Sequence, residues 1–313
     1  MNIVTAVLIY GVLLPLLAGG LTLVFGWKPW RRESEGARPV WTAGLALGAA
    51  YLTGHLGVAH TPDAFVPTNA LHWMIHLSLA AVIISLVEPP TWEKPAIRWV
   101  LRAVVLAVGT RLVMGFMLTE WSTMQGIAAI AATTAVGLAF IFTLERIGER
   151  NPGATLPIAM MLTGTVVAGL LADGGTAKVG ELVGTITTVT GVAMVLSWWK
   201  SDFNFARSGA TVFGIVVVLL ATHGYFALPT VPSLSEFPNN PTFVALVAAF
   251  LAPHLLWLGE LDAIKKLGGW KTTTARLLIV FMGLAAAGSL SKIIEPPEKE
   301  VEENVLEGID YGY

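Results

Sequence analysis

The chain has no cysteine and few charged residues, and the two shortages exclude different things. Without a thiol there is no disulfide, thiolate metal site, iron–sulfur ligation or cysteine nucleophile. Charged residues make up 13% of the sequence, against roughly 25% in a soluble domain. So few charges cannot cover a water-facing surface, and lipid must be the solvent for most of the chain. Basic residues are not in excess, and a net charge of −2 argues against a nucleic-acid partner, whose phosphates need a basic patch. The sequence contains no phosphate loop, dinucleotide fingerprint, serine elbow or kinase signature. His72-Trp-Met-Ile-His76 lacks the glutamate of a zinc-protease helix.

What the sequence has is apolar length. Hydrophobic residues reach 55% and the mean hydropathy is +0.70. A bilayer core takes about 20 apolar residues of helix. Ten such runs can be counted, near 3–26, 40–60, 70–87, 96–118, 122–143, 155–172, 178–198, 208–228, 241–259 and 273–291. Only helices satisfy their own backbone in lipid at these lengths. The expected class is therefore all-α, a polytopic integral membrane protein of about ten transmembrane helices. Residues 1–292 form one transmembrane domain. Residues 293–313 form an acidic, mobile tail that begins where Pro296 and Pro297 stop the last helix. The opening segment has no basic residue ahead of its long apolar run, so it reads as a first span and not as a cleaved signal.

Charge bias sets the expected orientation. Of the 19 lysines and arginines, all but Arg111, Lys178, Lys292 and Lys299 lie in or beside connections 1–2, 3–4, 5–6, 7–8 and 9–10. The positive-inside rule puts those connections in the cytoplasm and both termini outside.

Two stretches resemble each other. Gly20-Leu-Thr-Leu-Val-Phe-Gly-Trp27-Lys28 is echoed by Gly191-Val-Ala-Met-Val-Leu-Ser-Trp198-Trp199-Lys200. Ala37-Arg38 and Ala206-Arg207 follow, then His55 and His223, Glu88 and Glu260, and Arg102 and Arg276. This pattern suggests a tandem, same-orientation repeat of helices 1–4 and 7–10, over about 1–118 and 178–292, with helices 5 and 6 between. Chance alignment of similar membrane helices accounts for the matches equally well.

Four of the six histidines fall between Tyr51 and Leu77. With the orientation above, His55, His76 and His223 share one depth on the outer side, and His60 and His72 sit at the boundary. His72 and His76, spaced i, i+4, lie on one helix face. His55, His72, His76 and His223 are thus candidate ligands for a transition metal or, in pairs from different helices, for haem. The bland alternative is that they hydrogen-bond each other or the Asp63 loop.

Arg111 is the charge set deepest in a span, about seven residues from the expected outer end of helix 4. An arginine at the centre of a span costs about 3 kcal/mol on insertion scales and usually meets a partner or a watered cavity. Arg111, Glu120, Asp173 and Glu181 are therefore candidate substrate-binding residues of an outward-facing polar pocket.

The first functional expectation is a secondary transporter or permease for a small polar or anionic solute. A membrane redox enzyme or metalloenzyme using the outer histidines is the second. The third is a structural subunit of a larger membrane complex. The sequence does not decide whether the chain is an enzyme. Its partners would be the lipid bilayer, a small solute and other membrane subunits.

Overall fold

The computed structural model describes residues 2–30, 40–59, 65–87, 94–115, 117–151, 153–200, 203, 205–227 and 240–293. His60, Asp63, Glu88 and the acidic tail from residue 294 lie outside the described residues. The chain is all-α, with no strand among the described residues. Its long helices are α1 Val7–Trp27, α2 Thr42–Ala59, α3 Ala70–Val87, α4 Pro95–Val113, α5 Thr123–Arg150, α6 Thr155–Asp173, α7 Ala177–Trp199, α8 Ala206–Phe226, α9 Pro241–Glu260 and α10 Gly269–Ile293. Eight of these are long and apolar enough to cross a membrane. The other two, α2 and α4, are as long but less apolar. One carries Tyr51, His55 and several glycines, and the other carries Arg98, Arg102 and Arg111. The protein is a multi-pass membrane protein.

Helices α2 to α7 stand in a closed ring, each against the next and α7 back against α2. Helix α8 runs through the middle, touching all six and α9. Its membrane-length window is 94% buried, against 28% for α1. Helix α1 lies outside the α2–α7 seam and exposes Leu8, Leu13, Leu14, Leu17 and Leu21. Helices α9 and α10 pack outside the ring beside α6, with α9 also against α5.

Lipid offers no hydrophobic drive between helices, so the bundle rests on close packing. Small residues allow that approach. A Cβ at Gly164 would strike Thr187 of the neighbouring α7, and one at Gly214 of α8 would strike Ile141 of α5. The threonines of α6 and α7 bond within their own helices, Thr163 to the Ala159 carbonyl at 2.8 Å and Thr187 to that of Val183 at 2.7 Å. They fill the seam between the two helices without hydrogen-bonding across it.

Three boundaries differ from expectation. Helix α5 continues to Arg150 because its terminal charges are matched: Glu145 is buried on arginines, Arg146 pairs with Glu149 at 3.4 Å, and Arg150 lies 4.7 Å from the Trp257 ring centre. Hydropathy alone ends the helix at the first of these charges. Helix α4 stops at Val113, ahead of Gly115 and a 3-10 turn at Met117–Thr119. Helix α9 is α-helical to Leu251 and 3-10 from Ala252 to Glu260, with Pro253 in the first turn of the tighter stretch. Proline removes a backbone donor there, and 3-10 runs this long are uncommon.

The duplication is not confirmed by this packing. Helix α8 has neighbours on all sides, whereas its expected counterpart α2 packs chiefly on α1, α3, α7 and α8.

Candidate functional site

Among the described residues, the helix ends that carry Arg98, Arg102, Glu145 and Glu260 lie at one end of the bundle, and those that carry His55, His72, His76 and His223 lie at the other. At the basic end Glu145 of α5 is 2% exposed and accepts hydrogen bonds on both oxygens. Arg102 of α4, with no exposed side-chain surface, donates Nη1 at 2.8 Å and Nη2 at 3.5 Å. Arg98, one turn earlier, donates Nη1 at 3.0 Å. The Arg102 guanidinium also stands 4.7 Å from the centre of the Trp99 ring. A second cluster closes the α9–α10 side. Glu260 Oε1 accepts Nη2 of Arg276 at 2.8 Å and Nδ2 of Asn151 at 3.3 Å, while Nε of Arg276 donates to the Gly259 carbonyl at 3.2 Å. The Ser208 hydroxyl donates to the Val40 carbonyl and accepts the Gly44 N–H, tying the start of α8 to the start of α2.

The described residues at the opposite end leave a hollow. A cleft of about 600 Å³ lies between the start of α3, the end of α4 and the end of α8. It is lined by Pro67, Thr68, Asn69, Ala70, Leu71, Trp73, Leu112, Gly115 and His223. His223 belongs to the central helix, is 9% exposed, and has Nδ1 3.5 Å from the Val113 carbonyl. Thr68 and Asn69 are held from behind by His72. Asn69 caps α3, its Oδ1 accepting the His72 N–H at 3.0 Å. That contact orients the amide, so Asn69 Nδ2 is the atom facing His72 Nε2 at 3.2 Å. His72 Nδ1 meets the Thr68 hydroxyl at 3.0 Å and the Val66 carbonyl at 3.3 Å.

The remaining histidines lie nearby in sequence but do not join this set. His55 is fully buried on α2, with Nδ1 2.8 Å from the Tyr51 hydroxyl and Nε2 without a hydrogen-bond partner among the described residues. His76 is half-buried beside Trp73, their ring centres 5.7 Å apart. Among the described residues no group of three or more His, Asp and Glu side chains is placed to hold a metal ion. The hydrogen bonds of His55, His72 and His223 go to a tyrosine, a helix-capping loop and a backbone carbonyl instead.

The candidate substrate-binding charges are dispersed. Arg111, Glu120 and Asp173 are exposed, and among the described residues Arg111 forms no ion pair with Asp173 or Glu181. Because α4 ends at Val113, Arg111 sits in its last turn and not deep within a span. A long side chain there can reach the headgroup layer. Glu181 is half-buried and lines a separate groove of about 370 Å³ between α1, α6 and α7, with Gly11, Thr165, Thr188 and Gly191. That groove lies beside the π-helical stretch Val7–Leu13 of α1.

Sequence reasoning missed Thr68, Asn69 and Trp73, although Asn69 and His72 carry a readable signal. An asparagine just ahead of an apolar run is a helix N-cap, and a histidine three residues on is placed to return its bond. The Arg102–Glu145 pairing had no such signal, since its partners are 43 residues apart. No protein-family model, no curated protein and no solved structure matches this chain.

Proposed function

We propose that the chain is a permease for a small polar solute, which it receives in the cleft between α3, α4 and α8. The carrying observation is that this cleft of about 600 Å³ is bounded by a residue of the buried central helix, His223. A ligand there would lean on the one helix that nearly every other helix touches. Two further features support the reading. The basic end is held together by buried ion pairs, while the described residues of the other end leave a cleft. The change from α to 3-10 geometry midway along α9 is also the kind of interruption transporters use where backbone must move. By the positive-inside rule the cleft faces away from the cytoplasm.

The natural absence of cysteine makes the test clean. Leu112→Cys places a lone thiol in the cleft, and Ser85→Cys places one in the fully buried layer at the basic end. In sealed proteoliposomes a membrane-impermeant maleimide should label Leu112→Cys from the cleft side. Ser85→Cys should react only from the other side, and only while a transported solute is present. Uniform reactivity of both positions from both sides, with no uptake of uncharged or anionic solutes under proton or sodium gradients, would sink the proposal.

A further inference from the structure

The hydrogen-bonding groups left over in the cleft point to the chemistry of its ligand, and the inference rests on the cleft being a solute site. Asn69 Oδ1 already accepts the His72 N–H, so its Nδ2 is a donor toward His72 Nε2. Nε2 therefore accepts, and the neutral imidazole carries its proton on Nδ1. Nδ1 lies 3.0 Å from the Thr68 hydroxyl oxygen and 3.3 Å from the Val66 carbonyl, two acceptors for that proton, while the Thr68 backbone N–H approaches the same nitrogen at 3.5 Å, the longest of the three contacts. Thr68 then keeps its own hydroxyl proton, and Asn69 keeps its second amide N–H. Both side chains are exposed and line the cleft. Across the cleft, Nδ1 of His223 is turned to the Val113 carbonyl, which leaves Nε2 as an acceptor. The described lining thus offers two donors, one acceptor and the half-buried indole of Trp73, with Pro67, Leu71 and Leu112 between them. It contains no lysine, arginine, aspartate or glutamate.

An ion entering such a lining would lose water without gaining a counter-charge, a loss that neutral hydrogen bonds do not make good. A neutral ring loses far less and gains an aromatic wall. We infer that the cleft selects an uncharged ring solute bearing at least two acceptor oxygens and one donor, its apolar face laid against Trp73.

The test uses paired probes that share a ring and differ by a carboxylate: uracil with orotate, and glucose with glucuronate. Binding to the full-length protein in nanodiscs is followed by calorimetry. At least one neutral probe should bind, at least tenfold tighter than its carboxylate twin, and should lose at least tenfold in Asn69→Ala and His223→Ala. A carboxylate that binds as well as its neutral twin, with the same loss in both variants, overturns the ligand class but keeps the cleft as a site. Binding indifferent to both variants overturns the cleft itself. Binding of none of the four probes overturns the class as stated. Tight neutral binding without flux in proteoliposomes leaves this inference standing and removes the permease.

Discussion

Glu145 and His72 hold comparable positions at opposite ends of the bundle. Each is nearly buried, each gathers several partners, and each locks the end of one helix to its surroundings. The difference is charge. Glu145 has both oxygens occupied by arginines from α4, and its cluster spends its hydrogen-bonding capacity on closing the end. His72 works with neutral partners, and its cluster leaves donors exposed. Removing one member of a buried ion pair strands the other charge and costs about 3–5 kcal/mol. Breaking a neutral hydrogen bond costs about 1 kcal/mol. The ends should therefore fail differently, the first by global unfolding and the second by local opening.

The largest expected effect is that of Glu145→Ala. It removes the carboxylate that Arg102 and Arg98 share and should destabilise the bundle by about 3–5 kcal/mol in a chemical-denaturation experiment in mild detergent. A change under 1 kcal/mol would mean the basic end is not held by its ion pairs. Arg276→Ala comes next. Its partner Glu260 is 20% exposed and keeps the amide of Asn151, so a loss of about 2 kcal/mol is expected in the same assay. His72→Ala should cost about 1–2 kcal/mol, since it removes neutral bonds from a partly exposed loop. Hydrogen exchange should rise at residues 65–70 while the α4–α5 contact stays protected. If exchange rises equally at both ends, the two clusters form one cooperative unit and the contrast between them is lost. Arg111→Ala should leave the unfolding midpoint where it is, because the side chain is exposed and among the described residues has no ion-pair partner. A marked loss would return Arg111 to the bundle interior.

Much of this architecture was legible in the sequence, and the parts that were not share a cause. Hydropathy found the long helices, eight of which are long and apolar enough to cross a membrane, because lipid demands apolar length whatever a helix touches. That same demand hides which helix is central. Helix α8 and helix α1 are both apolar enough to cross a membrane, yet one is enclosed and the other is largely exposed. The readable difference is in kind: α1 shows lipid a face of leucines, whereas α8 carries Ser208, Thr211, His223, three glycines and three alanines. Arg111 misled for a different reason. Its depth depended on where α4 ends, and an apolar run does not record a helix that stops early before Gly115. The expected histidine cluster did not emerge among the described residues, because spacing cannot say which neighbour occupies each ring nitrogen. His72 proved to be tied to Thr68 and Asn69, residues that composition gives no reason to notice.

The helix at the centre of the ring is also the eighth to be made. During synthesis α2 through α7 reach the membrane before the element they surround. Until residue 226 has been inserted, those six must either collapse on one another in some other order or wait around a vacancy. The bundle can therefore close only late, and its assembly becomes a problem of admission: the last essential piece has to slip between neighbours already in place. A chain halted at Trp199 should accordingly be recognised by quality control as unfinished, even though seven of its long helices are already present and every one of them is long enough to span.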